Sequence, residues 1–403
     1  MMTTRRDVLT TVAGSIAAAA LLAGTAAPGT AHAQSVQGVS QNEIVIGSIQ
    51  DLSGPIAMLG KPVQNGQILA VEQWNANGGI NGRKLRLIIE DSGYDPKKAV
   101  LAAQKLLTQD KVFALIGTLG TVATLPTQQI ALDRGISSLF PITAHHGTFE
   151  PLHKYKFALA TPYPTSTRLG LKEMLRRKPA KRIGILYQDD EYGLEVLRGT
   201  EAALKDMPGV QLVEKTSYKR GATDFSSQMQ KLKAADVDLV VLGTIVRETI
   251  GAMAAIRQLG YTGDFFGSQA TYMPVVAKAG GKAVEGLYAV GETPNLYRDD
   301  PNNNKLLNEW FDAYKARFNE DPDLYSIVGW LTVDIFAKAA QQAGPKLTSD
   351  TLSQALEANG YPRGFLGNPD MKWSATNHLG NNQVKVSQIQ NGRWVVVSDF
   401  LKD

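Results

Sequence analysis

The chain has no cysteine among its 403 residues. Disulfide bonds, thiol catalysis and thiolate metal ligands are therefore excluded. An excess of one charge is lacking too, because 42 Lys and Arg oppose 38 Asp and Glu, which gives a formal net charge of +4. The charges are interspersed, and no basic block stands out. We therefore expect no nucleic-acid partner.

The common catalytic motifs are absent as well. The sequence contains no G-x-S-x-G elbow and no H-E-x-x-H, and the turn at 117–121 is not followed by the Lys of a P-loop. No spacing assembles a nucleophile, a base and a group that orients the base. The sequence therefore predicts that the protein is not an enzyme and uses no cofactor.

The first 33 residues are typical of an export signal. Arg5 and Arg6 precede a small apolar stretch at 12–27, and Ala31-His32-Ala33 has the A-x-A pattern of a cleavage site. The paired arginines indicate a twin-arginine signal, with the general secretory route as the alternative. A membrane anchor is disfavoured because the apolar stretch is short and ends at Pro28-Gly29. We expect cleavage after Ala33.

The rest of the chain alternates short strands with amphipathic helices in two runs. Strand patterns at 43–49, 84–91, 113–117 and 136–140 form the first run, and the second begins with "RIGILYQD" at 182–189. Repeated βα units predict parallel sheets covered by helices on both faces. We therefore expect an α/β fold with two doubly wound parallel-sheet lobes, which bind ligands beyond the carboxyl ends of their strands.

The pattern changes after Gly291. Three helical stretches follow, at about 301–318, 325–342 and 349–358. The last part, "QVKVSQIQNGRWVVVSDF", predicts a β-hairpin that turns at Asn391-Gly392. No low-complexity linker separates the two halves, so we expect the lobes to open and close about a hinge.

Four stretches of this sequence resemble a known family. They are "IVIGSIQDLSGPIAMLGKPVQNGQILAVEQWNANGGINGRKLRLIIEDSGYDPKKAVLAAQKLL", "IGTLGTVATLPTQQIALDRGI", "RIGILYQDDEYGLEV" and "GATDFSSQMQKLKAADVDLVVLG". The N-x-x-G-G-I-N-G-R segment and "DEYG" are the most specific pieces. The chain is similar in these stretches to the leucine/isoleucine/valine-binding proteins of branched-chain amino-acid ABC transporters, which are type I periplasmic binding proteins.

The resemblance implies a domain organisation. The first lobe would comprise 34–160 and 291–368, and the second 161–290 and 369–403. The chain would cross between the lobes three times, near Ala160, Gly291 and Asn368. The helices after 291 would return to the first lobe, and the closing hairpin would join the second.

The resemblance also implies a carboxylate site in the first lobe. Its donors would be Gly120 and Thr121 in one loop, together with Ile142, Thr143 and Ala144 in the next. Hydroxyl groups and backbone N–H groups at a helix start suit an organic anion. The alternative reading of Thr121 is a helix N-cap.

Further candidates surround these loops. Ser53 follows the first strand and borders the cleft or simply forms a turn. Tyr192 of "DEYG" is expected to cover the ligand from the second lobe, or to pack within that lobe. His145 is a candidate ligand contact, whereas the spacing of His145, His146 and His153 is not a recognised metal pattern. We expect no metal site.

One departure from the family concerns the ligand's amine. Relatives place an acidic residue where Gln269 stands here, and a neutral amide does not pair with a buried ammonium group as a carboxylate does. Ile245 and Val246 also stand where relatives often present an aromatic residue. Both departures favour a carboxylate without an amine: an aromatic, aliphatic or keto acid.

The function expected from these observations is solute capture. A periplasmic protein would bind an amino acid or related small carboxylate between its lobes and deliver it to an inner-membrane ABC permease with a cytoplasmic ATPase. The protein would act as a monomer. The alternative is an exported ligand-sensing protein that docks on a membrane receptor.

Overall fold

The computed structural model describes residues 36–403. The predicted export signal and its cleavage site lie outside the described residues. Among the helices of residues 36–403, none combines the length and the apolar character that a membrane span requires. The strands are β1 Glu43–Gln50, β2 Lys84–Asp91, β3 Ala114–Ile116, β4 Ser137–Leu139, β5 Lys156–Phe157, β6 Arg182–Gln188, β7 Gln211–Tyr218, β8 Leu239–Gly243, β9 Asp264–Gly267, β10 Tyr288–Gly291, β11 Lys385–Gln390 and β12 Arg393–Val396. The helices are α1 Ala57–Ala76, α2 Pro96–Thr108, α3 Thr121–Leu132, α4 Tyr163–Arg177, α5 Glu191–Leu204, α6 Ser226–Ala234, α7 Val246–Gln258, α8 Pro274–Gly280, α9 Lys305–Phe318, α10 Leu324–Ala343 and α11 Ser349–Asn359.

The first five strands form one parallel sheet in the order β2-β1-β3-β4-β5. Its central strands are apolar and buried, as expected when helices cover both faces. Strand β5 was not predicted from the sequence, because two residues are too few to show a period.

The second sheet repeats this order in β7-β6-β8-β9-β10 and adds β11 and β12 at one edge. The five inner strands are parallel, whereas β11 pairs antiparallel with both β10 and β12. The two doubly wound sheets confirm the predicted fold class. The closing hairpin joins the second sheet, as the resemblance implies.

The helices after Gly291 pack on the first sheet. Helix α10 lies along α1, where the Trp74 indole donates to Asp334 at 2.9 Å and the Trp330 indole donates to Gln73 at 2.7 Å. Buried residues of α9, α10 and α11 share one core with β1 and β3. The exact lobe boundaries at 160, 291 and 368 stay a prediction.

Side-chain caps mark the start of five of the eleven α-helices in residues 36–403. The Asp95 side chain accepts the backbone N–H groups of Lys97 and Lys98 and so caps α2, just before Pro96. Helix α9 begins at Lys305 rather than 301, because the Asn304 side chain accepts the N–H of Leu307 and caps the helix there. The three helices predicted after Gly291 are all present, and the first of them begins four residues later than predicted.

Candidate functional site

The loops after β3 and β4 lie side by side at the carboxyl edge of the first sheet. The Thr121 and Thr143 hydroxyls are 2.7 Å apart, and Ile142 pairs with Leu119 as a short parallel bridge. Gly120, not Thr121, is the N-cap of α3, and its φ of 87° is favourable for glycine. The hydroxyl of Thr121 is thus free of any capping role. The reading of Thr121 as an N-cap is wrong.

A cavity of about 120 Å³ opens beside this pair, between the two sheets. Loops at the carboxyl edges of both sheets, and residues at or next to each predicted crossing, contribute to its wall. The lining comprises Pro141, Ile142, Thr143, Ala144, Leu159, Ala160, Tyr163, Gln269, Ala270, Tyr272, Gly291, Glu292, Thr293, Leu324, Tyr325, Val328, Leu331, Pro369 and Met371. The wall is mostly apolar, with few polar groups, as in a small-molecule site.

Four of the predicted site residues line this cavity: Ile142, Thr143, Ala144 and Gln269. Thr121 lies behind Thr143 and reaches the cavity only through their shared hydrogen bond. Gly120 lies against Tyr94, since a Cβ atom added to Gly120 would stand 2.5 Å from Cε2 of that ring. The ligand contacts of these residues stay predictions.

Both N–H donors of Gln269 are engaged by protein groups. Its Nε2 donates to the Thr161 carbonyl at 2.7 Å and to Glu292 at 3.0 Å, and its Oε1 accepts from the Ser166 hydroxyl at 2.6 Å. An amide has two N–H donors, so Gln269 has none left for a ligand. Its role in this geometry is to hold Glu292.

Glu292 is a carboxyl group that the sequence analysis missed. Its Oε1 accepts from the Thr161 backbone N–H at 3.0 Å and from Gln269, and the side chain lines the cavity. Burial raises the pKa of Glu292, although these hydrogen bonds oppose the rise. The sequence did contain one signal that could have identified Glu292 as a site residue. It directly follows β10, at the carboxyl edge of the second sheet, where such folds bind ligands.

Tyrosine side chains form much of the remaining polar surface. Burial raises the pKa of Tyr163 to about 12 and also raises the pKa of Tyr325 and Tyr272. All three phenols are therefore uncharged at neutral pH, and each can act as a neutral hydrogen-bonding group. Tyr163 is the first residue of α4, immediately after the predicted crossing near Ala160.

Tyr192 lies behind the cavity rather than in its wall. Its hydroxyl contacts the Thr244 carbonyl and the Ser268 hydroxyl, both at 2.8 Å, and its ring packs edge-on against Tyr163 with centroids 5.0 Å apart. The side chain is buried. These contacts support packing within the second lobe, and a ligand contact stays a prediction.

Ser53 lies apart from the cavity. Its hydroxyl donates to Asp91 at 2.5 Å, and the side chain is exposed at an open cleft shared with Tyr94 and Arg220. The guanidinium of Arg220 lies 5.6 Å from the Tyr94 ring centroid and donates to the Tyr94 carbonyl at 3.2 Å. Residues from both halves of the chain therefore meet at this open cleft as well.

His145 also lies outside the cavity wall. It stacks on His146 with ring centroids 4.5 Å apart, and burial lowers its pKa. His145, His146 and Glu195 offer donor atoms within 4.8 Å of one another, a juxtaposition that the sequence spacing did not show. However, His145 Nδ1 accepts from Gly147, and Arg198 contacts Glu195. The expectation that the protein holds no metal stays a prediction.

The sequence model described as "Periplasmic binding protein" matches residues 43–393. The leucine-, isoleucine-, valine-, threonine- and alanine-binding protein of Pseudomonas aeruginosa is 28% identical over 319 residues, which cover 78% of this chain and 83% of that protein.

Solved structures share the fold at lower identity. A fatty acid ABC transporter substrate-binding protein from Thermomonospora curvata superposes with a TM-score of 0.81 at 24% identity, covering 91% of this chain and 94% of that one. An ABC transporter solute-binding protein of R. palustris in complex with benzoate gives a TM-score of 0.78 at 18% identity, with coverage of 90% and 98%. At these identities the likeness extends to the fold.

Proposed function

We propose, from the premise that this chain belongs to the periplasmic binding protein family, that it captures an amino acid or related small carboxylate between its lobes. Its named relatives are binding proteins, and the chain is a binding protein rather than an enzyme. Aromatic, aliphatic and keto acids belong to the proposed ligand class, beside amino acids.

The observation that carries this proposal is the cavity between the sheets. It is mostly apolar, it contains the Thr143 hydroxyl, and residues at all three predicted crossings line it. A ligand held there contacts loops of both lobes at once, so its binding free energy favours the closed arrangement over the open one. Closure in turn excludes water from the ligand's polar groups.

The proposed partner is an inner-membrane ABC permease with a cytoplasmic ATPase. The ligand-loaded protein, a monomer in the periplasm, would present both lobes to the permease. The Pseudomonas relative is named for five amino acids, which supports amino acids as the first ligands to test.

A thermal-shift screen of the mature chain tests the proposal. The panel contains the common amino acids together with their keto and deamino counterparts. A true ligand at 100 times its Kd should stabilise the protein by about 2.7 kcal/mol. Isothermal titration then gives the affinity. If no compound in this panel raises the Tm, while the chain is folded and monomeric, the proposed ligand class is wrong.

A further inference from the structure

We propose that Glu292 recognises a cationic nitrogen on the ligand, and that it thereby replaces the acidic residue that the resembling family places at Gln269. The inference rests on the proposed function and narrows it. It selects, from the amino acids and related acids, those that carry an amine.

The hydrogen bonds around Glu292 leave one oxygen available. Oε1 accepts from the Thr161 N–H and from Gln269 Nε2, both at 3.0 Å. Both of these hydrogen bonds end on Oε1, and the residue keeps part of its surface open to the cavity. A carboxylate whose first oxygen is fixed in this way presents the second one in a defined direction.

The electrostatic environment of Glu292 lacks a counter-charge. No Lys, Arg or His of the described part of the chain is among the groups that shift the pKa of Glu292, and the titratable groups that face it are Tyr163 of α4, Tyr272, and Tyr325 of α10. An unpaired buried carboxylate is unfavourable unless it takes up a proton or a cation joins it. An ammonium group in the cavity supplies that cation.

The other residues of the cavity wall can contact the remaining parts of such a ligand, its apolar body and its carboxylate. Leu159, Val328, Leu331 and Met371 offer an apolar surface, and Thr143 offers a hydroxyl beside the start of α3. A cavity of similar size, about 150 Å³, holds benzene in another protein. A small apolar body with one amine and one carboxylate fits these three features, as in an α-amino acid.

This arrangement also makes binding depend on pH. Burial raises the pKa of Glu292, and its tyrosine neighbours stay neutral between pH 5 and 8 because burial raises their pKa as well. Glu292 must ionise to hold an ammonium group. Affinity for an amine-bearing ligand should therefore fall as the pH drops through the raised pKa of Glu292.

The experiment compares ligands that differ only in the amine. Isothermal titration of the mature chain measures the affinity of each compound in two sets. The first set is leucine, 4-methylpentanoate and 4-methyl-2-oxopentanoate, and the second is phenylalanine and 3-phenylpropanoate. The proposal expects the amine-bearing member of a pair to bind more tightly. Glu292→Gln should lower the affinity for the amine-bearing compound by about 30-fold or more and abolish the pH dependence of that affinity. Glu285→Gln, which alters a carboxylate that holds the Asn391 turn, is the matched control.

Other results of this titration would contradict either the inference about Glu292 or the proposed ligand class. If an amine-free acid binds at least as tightly as its amine-bearing partner, or if Glu292→Gln keeps full affinity with a wild-type Tm, the inference about Glu292 is overturned while the proposed function stands. If no member of either set binds to the folded wild-type protein, the comparison is made with the compound that raises the Tm most in the thermal-shift panel and its amine-free counterpart, and only a panel without any binder overturns the proposed ligand class as well.

Discussion

Both carboxylate oxygens of Glu195 contact His146 across the two halves of the chain. Oε1 lies 3.0 Å from the ring Nδ1, and Oε2 accepts the backbone N–H at 3.1 Å. Glu195 is fully buried on α5, whereas His146 follows β4 of the first sheet. This contact joins the halves at a point outside the cavity wall, so part of the closed arrangement is stabilised without a ligand.

Glu195→Gln should destabilise the protein at pH 7 by about 1–3 kcal/mol, since it weakens hydrogen bonds made to a charged, buried group. Burial by itself raises the pKa of Glu195, but the Arg198 side chain and the His146 N–H lower it overall. A lowered pKa means that this stabilisation is present above about pH 4.5 and is lost as the pH falls through the folded-state pKa. Urea unfolding at pH 7 and 3.5 should show the difference from wild type shrinking at the lower pH.

The matched control is Glu201→Gln on the same helix. Glu201 forms an exposed ion pair with Lys215, and such pairs contribute little. An equal loss of stability in both variants would contradict the special role of the Glu195–His146 contact.

Thr143→Val should lower the affinity for the ligand by about tenfold. Valine keeps the shape of the side chain and removes one hydroxyl, whose hydrogen bond contributes about 1–1.5 kcal/mol. Thr121→Val should act in the same direction through the shared 2.7 Å hydrogen bond. The control is Thr127→Val, since the Thr127 hydroxyl bonds only within α3. Titration of all three variants decides the point, and unchanged affinity in Thr143→Val would mean that the carboxylate lies elsewhere.

Tyr192→Phe should lower stability by about 1–3 kcal/mol while changing ligand affinity less than twofold. The lost hydroxyl leaves the buried Thr244 carbonyl and Ser268 hydroxyl without that partner. Tyr187→Phe is the control, because Tyr187 lies on β6 of the same sheet and is only half-buried. A tenfold drop in affinity at unchanged Tm would instead place the Tyr192 hydroxyl on the ligand.

Gly120→Ala should destabilise the chain by about 1–3 kcal/mol. Gly120 has a positive φ, which costs an alanine about 1 kcal/mol, and the new Cβ would stand 2.5 Å from the Tyr94 ring. Gly221→Ala isolates the first effect, since Gly221 also has a positive φ but no atom lies within 4 Å of its added Cβ. Equal losses in the two variants would show that Tyr94 moves aside freely.

Glu292→Gln should leave the ligand-free protein at least as stable as wild type at pH 7. A carboxyl group whose pKa is raised by folding disfavours the folded state once the solution pH exceeds its unfolded pKa, and an amide removes that cost. Glutamine can still accept the Thr161 N–H through its own oxygen. A strongly lowered Tm for this variant at pH 7 would indicate that the charge of Glu292 is satisfied within the fold.

Much of the architecture follows from local sequence signals. The apolar strand runs, the Asp95-Pro96 helix start and the Asn391-Gly392 hairpin are read from neighbouring residues, and the structure has each of them. Parallel strands place their carboxyl ends at one edge, and the loops after β3 and β4 meet there through the Leu119–Ile142 bridge. The assignment of 120–121 and 142–144 to one carboxylate site rests on the family resemblance and stays a prediction.

The sequence by itself therefore determined the two doubly wound sheets and the hydroxyl-bearing loops at their edge, because periodicity and turn residues act over a few positions. Only the tertiary structure decided which polar groups share the cavity. Gln269 meets Thr161 across 108 residues and Glu292 across 23. No local pattern encodes such contacts, since they depend on how the two sheets and the crossing segments pack around one space.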